Sequence, residues 1–189
     1  MVELMAKKTT ETQTDFLVQK ARADAGALGT LYRLYYERVF AFCVHRLFNK
    51  TVAEDVTSAV FLDIAGGMSR FKGQRERDFA NWLFAVAINH TNAYIRKTAR
   101  RNRLLKEAAR SIIAASRGDE NRPDWPGVYS AILKLKPNHQ TIITLRFFEN
   151  MPLGRIAGLL NMKETTVRVS LHRALKKLKK YLQSAGFGE

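Results

Sequence analysis

Apolar residues recur at intervals of three and four along almost the whole chain, and no segment alternates apolar and polar residues as a half-buried strand does. One stripe of apolar residues repeats every four positions and consists of Val52, Val56, Val60 and Ile64. This spacing places the side chains on one face of a helix. The sequence therefore predicts an all-α fold, in which each helix buries its stripe against neighbouring helices.

Local signals predict where the helices of the first half begin and end. Helices are expected over about 14–24, over about 31–48 after Gly26 and Gly29, from Thr51 to Gly66-Gly67, and from near Asp78 onward. Thr51 and Glu54 have capping-box spacing, which favours a helix start at Thr51. Paired glycines disfavour a helix interior, so Gly66 and Gly67 are expected to end the third helix.

Residues 152–182 have the pattern of a helix-turn-helix. Pro152 suits the first position of a short helix, and Asn161-Met162 supply a turn. The longer helix that follows has apolar residues at helical spacing, namely Val167, Leu171, Ala174, Leu175 and Leu178. Its remaining surface is rich in Lys and Arg, and a helix of this kind fits the major groove of DNA.

A change of composition divides the chain. Residues 113–127 contain two of the four prolines, together with Gly, Ser and mixed charges, as linkers do. We therefore predict two small helical domains over residues 10–112 and 128–184, joined by a flexible linker over 113–127, with the helix-turn-helix in the second domain. The two domains are expected to move independently in the free protein.

The charge balance restricts the partners. The chain has 32 Lys and Arg against 17 Asp and Glu, a net charge of +15, which favours a polyanion such as nucleic acid or an anionic membrane surface. The longest apolar run, near residues 79–88, is interrupted by Asn81 and is far shorter than the roughly 18 residues of a membrane span. No span and no secretory signal are expected, and the protein is predicted to be cytoplasmic.

The sequence does not predict an enzyme. Asp63, Glu76 and Asp78 are scattered, and no nucleophile lies beside a base. His172 has no second His or Cys at ligand spacing, so neither a metal nor a cofactor is expected. The lone Cys43 excludes an intramolecular disulfide and is expected to be buried.

Two groups of motifs resemble one family. Residues 53–61 (AEDVTSAVF), 71–73 (FKG), 79–89 (FANWLFAVAIN) and 94–96 (YIR) look like region 2 of bacterial sigma factors of the extracytoplasmic-function class, in the sigma-70 family. Residues 135–149 and 165–175 are similar to region 4 of the same factors. The resemblance covers roughly residues 16–182, and both halves match in order.

The resemblance implies a sigma factor that binds core RNA polymerase and directs promoter-specific initiation, without catalytic residues of its own. Its expected partners are core RNA polymerase, double-stranded promoter DNA, the melted single strand and an anti-sigma factor. The resemblance assigns polymerase binding to Asp55, Ser58, Phe61 and Leu62. For Glu54 and Asp55, stabilisation of their own helix start is an alternative role.

A second implied surface melts the DNA and holds the upstream edge of the bubble. It comprises Phe71, Lys72, Arg75, Val86, Asn89, Arg96 and Arg100. Phe71 and Val86 would line a pocket for an unstacked base, and the amide of Asn89 would bond its edge. Phe71 and Asn89 each also have an alternative role that stays open at this stage. Phe71 would anchor its loop to the core, and Asn89 would be an ordinary exposed polar residue on an amphipathic helix.

The third implied surface is the helix-turn-helix contact to the upstream promoter element. It comprises Lys163, Thr165, Thr166, Arg168, Val169, His172 and Arg173. Arg168 and Arg173 either hold guanine by bidentate pairs or clamp phosphate.

Some positions depart from the pattern of the family. Ser58 stands where glutamine is usual, and Arg155 stands where glutamate is usual, which predicts that Arg155 contacts phosphate. Two other classes of function remain as alternatives. One is a free-standing helix-turn-helix regulator, whose first domain would sense a ligand or dimerise, and the weaker one is an enzyme that acts on DNA.

Overall fold

A computed structural model describes residues 13–109 and 126–184, and within these ranges the regular structure is helical throughout. An N-terminal region contains helices over 13–20 (α1), Ala25–Leu47 (α2), Lys50–Gly67 (α3) and Glu76–Ala109 (α4). A C-terminal region contains Pro126–Leu133 (α5), Pro137–Ile143 (α6), Leu153–Leu159 (α7) and Glu164–Gln183 (α8). The predicted all-α class is confirmed. Most of the predicted linker lies outside the described residues, and its boundaries remain a prediction.

Helix α2 begins earlier than predicted. The Asp24 carboxylate Oδ1 accepts hydrogen bonds from the backbone N–H groups of Gly26 and Ala27, at 2.7 and 3.1 Å. An aspartate in this position satisfies amide groups that the helix itself leaves without acceptors. Gly26 and Gly29 therefore lie inside the first turns of α2, and the expectation that they precede the helix was wrong.

Helix α3 also begins before its predicted start. Its N-cap is Asn49, whose Oδ1 accepts from the Val52 N–H at 3.0 Å, so Thr51 is already helical. The capping-box prediction was wrong because asparagine, one of the best N-caps, stands two residues earlier. The end of α3 at Gly67 agrees with the prediction, and a 3₁₀ turn over Met68–Arg70 follows directly.

A residue of the first turn of α4 stabilises the start of this helix. Asp78, predicted as its beginning, lies in the first turn, and its Oδ2 accepts from the backbone N–H groups of Gln74 and Arg75, both at 3.1 Å. Negative charge in the first turn also interacts favourably with the helix dipole. These bonds fix the short loop between α3 and α4, where several predicted DNA contacts lie.

The C-terminal region contains the predicted helix-turn-helix, formed by α7 and α8. Pro152 is the N-cap of α7 rather than its first residue, a difference of one position. Asn161 has a φ of 51°, the left-handed conformation that asparagine tolerates in tight turns. Ile156 of α7 and Val167 of α8 are completely buried, and their burial holds the two helices together.

The two regions are in contact. Helix α4 packs on α7, and α2 packs on a π-helical turn over Thr144–Phe148 that extends α6. Leu145, Met151 and Ile156 of the C-terminal region belong to the same continuous apolar core as Phe42 and Phe84. The arrangement differs from the expected independence of two domains, because the π turn and α7 bury apolar side chains against the N-terminal region.

Candidate polymerase and nucleic-acid interfaces

Helix α3 presents most of the predicted polymerase-binding residues on its outer face. Asp55, Ser58 and Leu62 are exposed, and their spacing of three and four residues aligns them along the helix. Leu62 is 73% exposed, which is unusual for so large an apolar side chain. A polar face with one exposed leucine is suited to a protein partner.

Phe61 does not belong to this exposed face. It is 8% exposed, and its ring lies 4.7 Å from the ring of Tyr32 and 6.2 Å from that of Tyr36. The prediction that α3 presents Phe61 was therefore wrong, because α3 turns this side chain toward α2. Tyr32, which contacts Phe61 and is 43% exposed, provides aromatic surface there instead. The i, i+4 spacing of Tyr32 and Tyr36 was the signal that sequence reasoning missed.

The loop between α3 and α4 is anchored by Phe71. Its ring stacks on Trp82 with centroids 4.7 Å apart and meets Phe79 edge-on at 6.2 Å. A Cβ at Gly73 would lie 2.3 Å from Phe71 Cζ, so only glycine fits there without displacing the ring. The structure shows the packing role of Phe71, which was one of the two open interpretations.

Helix α1 and the turn that follows it hold the same loop from outside. Arg22 donates a hydrogen bond to the Gly73 carbonyl, and Gln19 Nε2 donates to the Gln74 carbonyl at 3.2 Å. Asp15 accepts from the backbone N–H of Glu76 at the start of α4. Side chains from α1 and from the turn after it therefore stabilise the loop conformation, which the local sequence did not indicate.

A strip on one face of α4 continues from this anchor. Trp82 and Val86 are half-buried and Asn89 is exposed, at spacings that align them along the helix. The cations predicted for this surface are exposed around the strip, and they are Lys72, Arg75, Arg96 and Arg100. An aromatic and apolar base that leads to an exposed amide, with cations beside it, can accept an unstacked nucleotide.

The start of α8 presents the predicted DNA contacts to solvent. Those exposed are Lys163, Thr165, Thr166, Arg168, Val169, His172 and Arg173. Arg168 pairs with Glu164 one turn earlier at 3.2 Å. Exposed i, i+4 pairs contribute only about 0.3–0.5 kcal/mol, so Arg168 can exchange this partner for DNA. Leu175, predicted to lie on the apolar stripe, is 38% exposed.

Arg155 is bonded to the N-terminal region in this conformation. Its Nε donates a hydrogen bond to Asn81 Oδ1 of α4 at 3.0 Å. Burial lowers the pKa of its guanidinium, against the opposing effect of Glu76. The phosphate contact stays a prediction, and it would compete with this hydrogen bond, because α7 places Arg155 against the N-terminal region.

Other chemistry-bearing groups have ordinary surroundings. Burial raises the pKa of the Cys43 thiol to about 11, as expected for an unreactive core cysteine. Over residues 13–109 and 126–184, no three His, Cys, Asp or Glu side chains are grouped as a metal site would need. Among the helices of these ranges, none is both long and apolar enough to cross a membrane.

Comparison with protein families matches the two halves separately. Residues 31–101 match the family described as Sigma-70 region 2, and residues 127–178 match Sigma-70, region 4. The first match includes α3, the anchored loop and most of α4. The second includes α6, α7 and most of α8.

Individual proteins agree with these matches. The ECF RNA polymerase sigma factor BldN of Streptomyces coelicolor is 27% identical over 174 residues, which are 88% of this chain and 64% of BldN. The ECF RNA polymerase sigma factor SigW of Bacillus subtilis is 26% identical over 194 residues, which cover 96% of this chain and 99% of SigW. The chain thus spans slightly less than two thirds of BldN and nearly all of SigW.

Among solved structures, the sigma factor RpoE in its complex with the anti-sigma factor NepR, from Bartonella quintana, has a similar fold. The TM-score is 0.62 at 18% sequence identity, and the alignment covers 82% of this chain and 96% of that one. At this identity the likeness concerns the fold, and it extends over both helical regions.

Proposed function

Because the chain belongs to the sigma-70 family, as a factor of the extracytoplasmic-function class, we propose that it binds core RNA polymerase and directs promoter-specific transcription initiation. The observation that carries this proposal is the presence of both sigma regions, in order, in one chain. A helix-turn-helix alone occurs in many kinds of regulator. Its combination with region 2 supports the polymerase-bound role over a free-standing regulator.

Docking on the polymerase is assigned to the outer face of α3. Asp55, Ser58 and Leu62 would contact the enzyme directly, while buried Phe61 would hold α3 against α2. Exposed Leu62 supplies apolar area, and Asp55 supplies a charge that orients the encounter. Ser58 offers a shorter side chain than the glutamine usual in the family, so its contact would be smaller.

Upstream promoter recognition is assigned to α8. Its first two turns would lie in the major groove, where Arg168 and Arg173 are candidates for contacts to guanine or phosphate. Lys163, Thr165, Thr166, Val169 and His172 are the further candidate contacts. Release of Arg168 from Glu164 would accompany binding.

Melting is assigned to the strip on α4 and the loop that precedes it. The Phe71–Trp82 stack would form a rigid wall, Val86 an apolar floor, and Asn89 the group that bonds a base edge. Lys72, Arg75, Arg96 and Arg100 would hold phosphates of the separated strand. In this proposal, Phe71 shapes the pocket through its packing rather than by free stacking on a base.

The chain would act in the cytoplasm as a specificity subunit, while the polymerase supplies the catalytic site. The related RpoE is bound by an anti-sigma factor. We propose that a protein of this kind also regulates this chain, through surfaces that the polymerase or DNA would use.

The decisive experiment mixes the purified protein with core RNA polymerase and sheared genomic DNA of its host, and then maps the transcript starts. We expect starts that share two spaced upstream elements and that disappear for Asp55→Ala and Arg168→Ala. Lys20→Ala is a matched surface control, because the Lys20 ammonium is exposed and pairs with nearby Asp24 at 2.9 Å, away from α3 and α8. DNA binding without any protein-dependent start would favour the free-standing regulator and reject the docking assignments.

A further inference from the structure

Three arginines of the N-terminal region and of α7 connect the two regions. Arg46 of α2 is 1% exposed, and it donates to Gln140 Oε1 of α6 and to Asn92 Oδ1 of α4, both at 2.8 Å. Gln140 in turn donates to the backbone carbonyl of Leu135 at 2.9 Å. A buried guanidinium is thereby bonded to a residue 94 positions away in the chain.

The second connection lies at the π turn. Arg38 of α2 lies 3.6 Å from the carboxylate of Glu149, whose side chain is 6% exposed. Next to this pair, the His45 ring stacks on Phe148 with centroids 4.0 Å apart. Both contacts join α2 to the residues that end the π turn.

The third connection is the Arg155–Asn81 hydrogen bond between α7 and α4. The charge of Glu76 favours ionised Arg155, and the Tyr35 hydroxyl donates to that same Glu76 carboxylate. A glutamate at position 155, usual in the family, would bring a second negative charge toward Glu76. Arg38 and Arg77 repel Arg155, so its attraction to Glu76 is only partly offset, and the hydrogen bond to Asn81 fixes its position.

We propose that these three connections, Arg46–Gln140, Arg38–Glu149 and Arg155–Asn81, form an intramolecular latch that holds the free protein in a closed, autoinhibited conformation. The latch must open before the helix-turn-helix can bind duplex DNA. The inhibitory consequence rests on the proposed function, whereas the closed conformation itself does not.

The proposed obstruction lies at the start of α7. In a helix-turn-helix, the second helix enters the major groove while the first crosses the DNA backbone. Here the start of α7 and Glu164 of α8 line a cleft of about 630 Å³ together with Arg77 of α4. The candidate contacts of α8 face solvent, but α4 lies against α7, the helix that would cross the DNA backbone. In the proposal, a duplex can therefore seat fully only when the two regions separate.

The latch is built to open. Six buried side-chain nitrogen or oxygen atoms among the described residues make no hydrogen bond, and four of them lie where the regions meet. These four atoms are His45 Nδ1, Arg46 Nε, His139 Nδ1 and Arg155 Nη2. Buried polar atoms without partners are destabilising, and Arg46 has no carboxylate partner among its hydrogen bonds. Separation would hydrate all four atoms, which offsets part of the apolar area that is lost.

The test measures distance in the free protein, with spin labels at Glu37→Cys and Gln183→Cys, two exposed positions in different regions. Cys43 is completely buried and should not be labelled. We expect one narrow distance population for the otherwise unmodified chain and a broad, longer one for Arg155→Glu. Lys179→Glu changes the charge equally at an exposed site and should leave the narrow population intact.

A charge exchange tests the second connection independently of any loss of fold. Arg38→Glu should broaden the distances, and Arg38→Glu combined with Glu149→Arg should restore the narrow population. Arg33→Glu, on the exposed side of the same helix, is the matched control and should change nothing. Circular dichroism verifies that each variant remains helical. Failure of the exchange to restore closure would count against the latch.

Duplex binding connects closure to inhibition. If the open form makes up about a tenth of the free protein, Arg38→Glu should bind a duplex containing the mapped upstream element about tenfold more tightly. Equal affinity for the two proteins would overturn autoinhibition. Broad distances in the unmodified chain would overturn the latch itself, whereas a failure in the transcript assay would reject the proposed function and leave the measured distances standing.

Discussion

The two regions of this chain differ in how they obtain a core. The N-terminal region buries large side chains among its own helices, including Phe42, Phe79 and Phe84. The C-terminal region has a small separate cluster around Leu135, Ile143 and Ala174. Its other buried residues, such as Ile156, belong to the core that continues into the N-terminal region. Because a small domain buries a smaller fraction of its surface, the C-terminal region gains more from docking than its partner does.

The largest effect is expected when an aromatic side chain is removed from the N-terminal core, which tests whether this region depends on a core of its own. Phe84 is completely buried and meets Phe42 edge-on at 5.7 Å. Phe84→Ala should lower the free energy of unfolding by about 3–5 kcal/mol. Phe16→Ala, at a position that is 67% exposed, should change it by less than about 0.5 kcal/mol. Urea denaturation followed by circular dichroism measures both, and equal losses would contradict the separate core.

A smaller loss is expected from the loop that Phe71 anchors. In Gly73→Ala the new methyl group would meet the Phe71 ring, and displacement of that ring should cost about 1–3 kcal/mol. The control is Gly66→Ala, because a Cβ there meets no atom within 4 Å. That change should be neutral or stabilising by up to about 1 kcal/mol. Near-ultraviolet circular dichroism in a Trp125→Phe background, which leaves Trp82 as the one tryptophan, follows the ring, and an unaltered Trp82 signal in Gly73→Ala would show that the ring has not moved.

The salt dependence of duplex binding distinguishes the two roles proposed for Arg168. If Arg168 clamps phosphate, Arg168→Ala should weaken binding to all duplexes alike and reduce the slope of log affinity against log salt by about 1. If Arg168 reads guanine, the loss should be about 1–3 kcal/mol on the promoter element and small on unrelated DNA. Fluorescence anisotropy at several salt concentrations distinguishes the two outcomes. Lys179→Ala, remote from the first turns of α8, serves as the charge control.

The smallest expected effect is on the pH dependence of closure. Burial lowers the pKa of His45, and burial with Lys177, Lys136 and Arg173 lowers that of His139. The His45 ring is buried against Phe148 of the other region, so closure should weaken as the pH falls below the ordinary histidine value of about 6.5. The cations near His139 belong to its own region, so the larger effect is expected from His45.

Protonation of Glu149 affects closure in the opposite direction from protonation of His45. Burial raises its pKa despite Arg38, so its protonation favours the closed form at lower pH, near and above the ordinary glutamate value. Spin-label distances between about pH 7.5 and 5.5 should broaden on acidification, less so in His45→Gln. Distances that narrow over this range would contradict the assigned histidine effect.

The sequence predicted the elements that depend on local pattern. Helical periodicity predicted the all-α fold class. It also predicted which side chains of α8 are exposed, because they lie on the face opposite buried Val167. Asn161 was correctly expected in the turn because its conformational preference is local. The polymerase and DNA roles came from a resemblance of motifs, and the individual residue roles stay predictions.

The features that the sequence did not predict depend on contacts between residues far apart in the chain. Phe61 was expected to be exposed because the pattern of α3 alone does not reveal that Tyr32 and Tyr36 cover it. Arg155 was expected on phosphate because a charge gives no indication of its partner, and Asn81 lies 74 positions earlier. Similarly, the stack of Phe71 on Trp82 depends on a tight approach by Gly73, which periodicity does not encode.

The guanidinium of Arg46 is buried in the closed form, so opening changes its hydration as well as its hydrogen bonds. When Gln140 departs, water must take its place, so the open form holds more water than the closed one. Osmolytes excluded from protein surfaces should therefore favour closure. Dissolved salt should favour opening, since it screens the partly exposed Arg38–Glu149 pair. The composition of the medium would then alter how much of the protein is able to reach a promoter, before any partner is bound.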